Sequence, residues 1–295
     1  MRNLMKKVKN SSQVKRFTRS KWGNFIIFLI LSVAGIFMLL PMIYSVLTSL
    51  KPLEEIMVFP PRFFVIRPTI QNYTALSQLL SNLWVPFSRY LFNSVFVSVV
   101  TTALHVIVAS AAAFVFSKYS NYKACRVMFL LVQFSLLYNA FTLAIPQYVI
   151  FAKMRILNTY WVYILPYLPS ALGVFLMKQY MDGSIPDTLL EAARIDGAGS
   201  FRVFWRIAMP MVKPAWMTLI LFAFRDIWSA PSSNTVFNEE LKLLPNVMSQ
   251  ITNGGISRMG SAMAATVIMM IPPMLVYLVS QSNVMETMSN SGIKD

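Results

Sequence analysis

Residues 184–210, SIPDTLLEAARIDGAGSFRVFWRIAMP, are the most informative stretch of the chain. Pro186 suits the first turn of a helix because its φ angle is already helical, and the carboxylate of Asp187 is favoured near the positive end of the helix dipole. Gly197 accepts the left-handed geometry that ends helices, and the hydroxyl of Ser200 can cap the next helix. The stretch therefore predicts two short helices that are joined by a tight turn and set at an angle.

Each of these two predicted helices carries an apolar face by three- and four-residue spacing. The faces consist of Leu189, Ala192 and Ala193 on the first helix and of Phe201, Phe204 and Trp205 on the second. Small residues around the turn permit close backbone approach, and Glu191 offers a carboxylate to an arginine or to backbone donors of a docking protein. The pattern fits a protruding knob that binds another protein, and it fits equally a loop that packs under the chain's own helices.

Apolar segments of membrane-spanning length lie on both sides of this stretch. The chain is 56% hydrophobic and 13% charged, whereas charged residues make up about a quarter of an ordinary soluble domain. A bilayer is crossed by roughly 20 apolar residues in a helix, because no backbone polar group can stay unpaired in lipid. The predicted spans are residues 25–48, 91–116, 127–150, 160–177, 211–229 and 262–281, the fifth being interrupted near its ends by Lys213, Arg225 and Asp226.

Basic residues set the expected orientation, because Lys and Arg of short loops are retained on the cytoplasmic side. Residues 1–24 contain eight basic residues and no acidic one, which predicts a cytoplasmic tail before a retained membrane anchor. Residues 25–295 then form a six-helix transmembrane domain that returns the C-terminus to the cytoplasm. The net charge of +15 is accounted for by residues that flank the spans and meet anionic headgroups, so nucleic-acid binding is not expected.

The motif within residues 184–210 resembles the EAA loop of ABC importer permeases. The matching residues, in matching spacing, are Glu191, Ala192, Ala193, Asp196, Gly197, Ala198, Phe204, Ile207, Pro210 and Pro214. The Asp-Gly-Ala after the alanine pair and the closing Ile-x-x-Pro-x-x-x-Pro are similar to the carbohydrate-uptake branch, in particular to the maltose-type second permease subunit of binding-protein-dependent importers. Met209 stands where that motif usually has Leu, which is a swap of similar volume. The similarity extends from about Asn72 to the C-terminal end.

This resemblance implies an all-α integral membrane protein with the type I ABC importer permease fold, six transmembrane helices and both termini in the cytoplasm. It implies that a cytoplasmic loop at about 178–214 docks on a separate ATPase, with Glu191 and Gly197 mapping onto its hinge and contact positions. The implied partners are a second permease subunit in a heterodimer, two ATPase subunits and an extracytoplasmic solute-binding protein. The implied cargo is a sugar or oligosaccharide, carried across a bacterial cytoplasmic membrane.

The resemblance also implies that the chemistry belongs to another chain. The sequence has no G-x-x-x-x-G-K-[ST] loop to hold phosphates, so ATP and Mg²⁺ are assigned to the partner ATPase. This chain is expected to carry no cofactor of its own and to be a transport subunit rather than an enzyme. A membrane enzyme or a metal site is disfavoured, because one His and one Cys cannot supply a metal cluster or a nucleophile with its base.

Uncharged polar and aromatic residues within the predicted spans are candidates for sugar contacts, since such groups suit sugar hydroxyls and ring faces. They are Asn93, Gln133, Tyr138, Asn139 and Trp228, and each could instead bridge two helices. Residues 234–260 are a candidate docking surface for the solute-binding protein. This segment has a short amphipathic pattern, which could equally form a lid on the bundle, at Leu241, Leu244, Val247 and Met248.

An ion-coupled secondary carrier is the main alternative, and it would place charged residues near the membrane midplane. His105 has no intramembrane carboxylate in its span to complete a proton relay, so core packing is expected for it. Arg225 and Asp226 lie near the outer end of their span, where a local salt bridge is expected. These features favour an ATP-driven permease over a carrier.

Overall fold

The computed structural model describes residues 21–138, 140–230 and 235–291 of the chain. The regular elements in these ranges are helices, and no strand occurs among them. Most of the predicted basic tail lies outside the described residues, as do Asn139 and the first residue of the predicted docking segment. The prediction of an all-α protein is confirmed for the part of the chain that the structure describes.

Long helices alternate with helices of one or two turns. The α-helices of the described ranges are α1 Lys21–Ser49, α2 Leu53–Ile56, α3 Gln71–Ser81, α4 Phe87–Lys118, α5 Lys123–Ser135, α6 Ala140–Lys153, α7 Trp161–Ile164, α8 Ala171–Ser184, α9 Asp187–Ile195, α10 Ser200–Val203, α11 Met209–Met211, α12 Lys213–Trp228, α13 Leu244–Thr252 and α14 Met259–Ser291. Single 3-10 turns occur at Leu165–Tyr167, Glu239–Leu241 and Ile256–Arg258, and a π-helical turn occurs at Phe204–Ala208.

Three of these helices are long and apolar enough to cross a bilayer. They are Trp22–Ser49 within α1, Phe87–Lys118, which is α4, and Met259–Gln281 within α14. Two bent pairs also qualify if each pair counts as one span, namely Trp161–Tyr167 with Ala171–Ser184, bent by 42°, and Ser200–Met211 with Lys213–Trp228, bent by 82°. By length and composition the described residues therefore contain three to five candidate spans, and the number of six stays a prediction.

The predicted span at 160–177 is broken at its prolines. Pro166 and Pro169 lack the N–H that a continuous helix needs, and the backbone of Ser170 is extended. Ser170 then starts α8 by accepting a hydrogen bond from the N–H of Gly173 at 2.9 Å, as a helix cap does. The segment is therefore two helices at an angle rather than one straight span.

The predicted span at 127–150 is likewise divided, into α5 and α6. The hydroxyl of Ser135, the last residue of α5, donates to the carbonyl of Val132 at 2.7 Å, and serine side chains of this kind compete with helical hydrogen bonds. The N–H groups of residues 136–138 then bond three residues back instead of four. The tightened turn ends α5, so this segment is not one continuous helix.

The predicted span at 211–229 begins at Lys213, where α12 leaves α11 at 82°. Pro214 cannot donate a backbone hydrogen bond at the start of α12, which explains a sharp change of direction there. The indole N–H of Trp216 donates to the carbonyl of Met209 at 3.1 Å and so pairs a backbone group at the bend. The helix ends at Trp228, one residue before the predicted boundary.

The helix α4 lies at the centre of the bundle and packs against α8 and α12. One buried cluster joins these helices to residues 190–219, and a second joins α3, α13 and α14 to the other end of α12. The membrane-length part of α1 is not buried by the rest of the chain. Much apolar helix surface is therefore left for lipid or for another subunit to cover.

Candidate functional site

The predicted pair of short helices is present, and it follows Pro186 as α9 and α10. Gly197 has a φ angle of +78°, in the left-handed region that glycine occupies without a steric penalty, so the turn uses glycine as predicted. The helix α10 begins at Ser200 itself, while Gly199 holds the cap position without any side-chain hydrogen bond. The prediction that Ser200 caps this helix is wrong, because the chain enters helical geometry one residue earlier.

One side of this loop belongs to the protein core. Leu190, Ala193 and Phe204 are buried, and Ala198 and Ile207 pack partly against the same cluster. The ring of Phe204 lies 5.4 Å from a phenyl ring of α4, measured between centroids. Packing under the chain's own bundle, which the sequence left open, therefore accounts for the buried side of the loop.

The opposite side of the loop is uncovered. Ile195 is 87% exposed and Phe201 is 77% exposed, and Glu191 makes no hydrogen bond or ion pair with another described residue. The predicted face of Leu189, Ala192 and Ala193 is split, because the bundle contacts the Leu190 side of α9 and leaves Leu189 and Ala192 in the open. Glu191, Ile195 and Phe201 are called the exposed face below.

Hydrogen bonds tie the loop to the end of α4. The ammonium of Lys118 donates to the carbonyl of Ile185 at 2.8 Å and to the carboxylate of Asp187 at 2.9 Å. The hydroxyl of Ser117 donates to Asp182 at 2.6 Å, and the guanidinium of Arg194 donates to the Tyr119 hydroxyl at 3.3 Å. The sequence analysis missed these residues, since nothing local indicates that α4 ends beside this loop.

Known proteins resemble this chain over nearly its whole length. The chain is 30% identical over 296 residues to the sulfoquinovosyl glycerol transport system permease protein SmoH of Agrobacterium fabrum, a match that covers 98% of this chain and 100% of that relative. The chain belongs to the sugar ABC importer permease family. The permease is also 28% identical over 275 residues to the multiple sugar-binding transport system permease protein MsmG of Streptococcus mutans, covering 90% of the chain and 96% of that relative.

A solved structure shares the fold of the permease. It is the crystal structure of a bacterial ABC transporter involved in the import of the acidic polysaccharide alginate, with a TM-score of 0.72 and 21% identity over 89% of this chain and 98% of that chain. No family model matches the chain. The relatives are transport permease subunits, which are not enzymes themselves. Together with the apolar helices they indicate a multi-pass membrane protein.

Two of the predicted sugar-contact residues lie buried in the permease with their polar groups engaged. Asn93 has no exposed surface, and its amide N–H₂ donates to the carbonyls of Glu240 and Lys242 at 2.7 and 3.0 Å. Its amide oxygen accepts a hydrogen bond from the Tyr160 hydroxyl at 2.7 Å. The buried indole of Trp228 donates to the carbonyl of Met269 at 3.1 Å. In this structure both residues bridge segments of the same chain.

The other predicted sugar-contact residues are not part of that buried cluster. Gln133 is half-buried on α5 and Tyr138 is exposed in the turn after it, while Asn139 lies outside the described residues. No residue of α5 is buried, so this side of the permease is open. Contact of these residues with a sugar stays a prediction.

The segment after α12 covers one end of the bundle. The apolar side chains of α13, Leu244, Val247, Met248 and Ile251, are all buried, and the N–H of Leu244 donates to the Ser94 hydroxyl at 2.7 Å. The amphipathic pattern that the sequence predicts is therefore a helix packed on the bundle, which favours the lid. The polar side of α13 stays exposed.

The residues that could have indicated an ion-coupled carrier have ordinary structural surroundings. His105 is buried, and its Nδ1 lies 2.6 Å from the carbonyl oxygen of Tyr167, where it pairs a backbone group at the proline break. Arg225 and Asp226 form the expected local ion pair at 3.6 Å with both side chains largely exposed. Among the described residues, no cluster of three or more His, Cys, Asp or Glu side chains could hold a metal ion.

Proposed function

We propose that the permease is one of two membrane subunits of an ATP-driven sugar or oligosaccharide importer, and that the loop at about 178–214 couples it to a separate ATPase. The observation that carries this proposal is the exposed face of Glu191, Ile195 and Phe201. SmoH and MsmG are named as permeases for sulfoquinovosyl glycerol and for multiple sugars, which supports a carbohydrate cargo. In this proposal ATP and Mg²⁺ are bound by two ATPase subunits.

The chemistry of the exposed face suits a protein groove. Two large apolar side chains, Ile195 and Phe201, would leave water on docking, and buried anchors of this kind supply most of the affinity at protein interfaces. The carboxylate of Glu191, one helical turn from Ile195, could accept charge-assisted hydrogen bonds from an arginine. The buried side of the loop holds this face in place, so that force applied to the face reaches the bundle.

The proposal assigns the uncovered helix surfaces to a second permease and to lipid. The apolar part of α1 is unburied, and α5 has no buried residue. Gln133 and Tyr138 lie beside this open side, so a path between two permeases would bring them near the sugar. In the proposed topology six spans cross a bacterial cytoplasmic membrane with both termini in the cytoplasm, and a solute-binding protein delivers the sugar on the other side.

The test is recovery of the partner ATPase with the permease from mild detergent. We expect Glu191→Lys and Ile195→Glu to lose the ATPase while the second permease stays bound, because both side chains are exposed and do not support the fold. Glu54→Lys is the matched control, since it reverses the charge of another exposed carboxylate outside the loop. With Glu54→Lys, recovery of the ATPase should equal that of the unmodified permease.

Two results would contradict the proposal. Full ATPase recovery with both loop variants would show that the exposed face is not the docking site. Sugar uptake by the purified permease alone, without any ATPase, would instead support an ion-coupled carrier.

A further inference from the structure

The helix α4 is one of the two longest helices in the described part of the permease. It has 32 residues, which corresponds to about 48 Å at 1.5 Å per residue. Of the three described helices that exceed 20 residues, α4 alone contains neither proline nor glycine; α1 has Pro41 and α14 has Pro272 and Pro273. Kinks in long helices arise mainly at such residues, so α4 is the helix best suited to transmit a displacement.

The C-terminal end of α4 is hydrogen-bonded to the loop at about 178–214, called the coupling loop here. Lys118 has a side chain that is only 7% exposed, and it holds both the carbonyl of Ile185 and the carboxylate of Asp187 at the start of α9. Its neighbours Ser117 and Tyr119 are also hydrogen-bonded to the loop, through Asp182 and Arg194. Lys118 makes two of these bonds from a nearly buried ammonium, whereas Ser117 and Tyr119 make one each, so Lys118 is the main attachment between α4 and the loop.

The N-terminal end of α4 is hydrogen-bonded to residues 239–244, called the lid strap here. The lid strap leads into α13. Asn93 donates to two carbonyls of the strap, those of Glu240 and Lys242. The Tyr90 hydroxyl donates to the carboxylate of Glu239 at 2.9 Å. The strap therefore cannot shift relative to α4 without breaking three part-buried hydrogen bonds, which is costly.

Between its ends α4 is packed tightly. Small residues of α4, including Ala109, Ser110 and Ala113, have no exposed surface, and they allow close contact with α8 and α12. Close-packed protein interiors transmit strain. The two fastened ends are thus joined by a stiff and well-supported element.

We infer that α4 is a strut that carries movement of the coupling loop to the lid strap, and that Lys118 and Asn93 are the positioning residues that fasten its ends. The inference rests on the proposed function, because it requires an ATPase that moves the loop. ATPase closure would displace α9, Lys118 would pull α4 along, and Asn93 would move the strap at the opposite end. Access to the sugar path would then follow the nucleotide state of the ATPase.

The test uses the complete importer, with its ATPase and second permease, in liposomes that enclose ATP. The sugar taken up and the ATP hydrolysed are measured together, and their ratio reports coupling. Lys118→Met keeps the apolar stem of the side chain and removes its hydrogen bonds. Asn93→Asp keeps the shape of the side chain and replaces the donor to two carbonyls with an acceptor. Lys123→Met is the matched control, because Lys123 is exposed and has no described partner.

We expect both variants to retain the ATPase and its hydrolysis rate while the ratio of sugar to ATP falls about five-fold or more, the lower end of typical coupling between sites. The control should keep the ratio of the unmodified importer. A fluorophore on Glu240→Cys, with Cys125→Ser to remove the native thiol, should respond to ATP in the unmodified importer. That response should shrink by a similar factor with Lys118→Met.

An unchanged ratio in an assembled Lys118→Met importer would overturn the strut. Equal losses of uptake and hydrolysis would also overturn it, since they would indicate damage to the fold rather than to coupling. If Asn93→Asp does not fold, Tyr90→Phe tests the same end by removing one hydrogen bond. Failure of the unmodified permease to retain an ATPase would contradict the proposed function first, and the strut with it.

Discussion

The indole of Trp228 occupies a position set by a proline on another helix. Pro273 has no N–H, so the carbonyl of Met269, four residues earlier in α14, loses its helical partner. The indole N–H of Trp228 donates to that carbonyl at 3.1 Å. His105 and Trp216 do the same for carbonyls at two other breaks. Side chains from neighbouring helices thus compensate backbone groups that kinks release.

Replacing this indole should therefore destabilise the permease. We expect Trp228→Phe to lower the free energy of unfolding by about 1–3 kcal/mol, the cost of leaving a buried polar group unpaired. Thermal unfolding in detergent measures the change. Trp84→Phe is the control, since Trp84 is 93% exposed, and its effect should stay within about 0.5 kcal/mol. Equal melting temperatures for the two variants would contradict the bridging role.

At the scale of elements, α13 is held by both its apolar face and its first amide. Burial of Leu244 and Val247 removes apolar surface from water, which is non-directional and would tolerate sliding. The bond from the Leu244 N–H to the Ser94 hydroxyl is directional and fixes where α13 begins. The two residues are 150 positions apart in the chain, so this register depends on the assembled bundle.

Loss of that hydroxyl should loosen the start of α13. We expect Ser94→Ala to cost about 1–3 kcal/mol, because the N–H of Leu244 would stay buried without an acceptor. Hydrogen exchange of the Leu244 amide should accelerate in the variant. Ser88→Ala, at an exposed position of the same helix, should change neither stability nor exchange. Unaltered protection of the Leu244 amide in Ser94→Ala would show that apolar packing alone holds α13.

On the scale of the whole molecule, the proposed topology puts the two ends of the bundle on opposite sides of the membrane. The exposed face of residues 191–201 is expected in the cytoplasm, and the lid strap is expected on the other side. The chain has a single cysteine, Cys125, so single thiols are easily introduced in a Cys125→Ser background. Both Ile195 and Trp84 are exposed, and in cells that express the permease without its ATPase both positions are accessible to reagents.

Thiol labelling of intact cells checks this arrangement. A membrane-impermeant maleimide should label Trp84→Cys directly and should label Ile195→Cys only after the cells are made permeable. Labelling of both thiols in intact cells would contradict the assignment of the two ends. Labelling of Ile195→Cys alone would show that the orientation from basic residues is inverted.

The sequence was sufficient to predict those elements that depend only on residues close together in the chain. Unbroken apolar stretches of spanning length predict α1, α4 and α14 to within a few residues at most ends, because a helix in lipid needs only that length and polarity. Gly197 predicts the turn between α9 and α10, since the left-handed backbone is a property of that residue. The family, too, follows from residues close together in the chain.

Only the tertiary structure decided which side chains of a helix are buried against the bundle and which polar groups meet. Leu189 and Leu190 are equally apolar, yet the bundle buries Leu190 and leaves Leu189 exposed. Asn93 is a residue type that could contact a sugar. In the structure its amide donates to carbonyls of the lid strap, which lies almost 150 residues later in the chain. The physical reason is that such partners are brought together by packing between distant segments, which local periodicity does not encode.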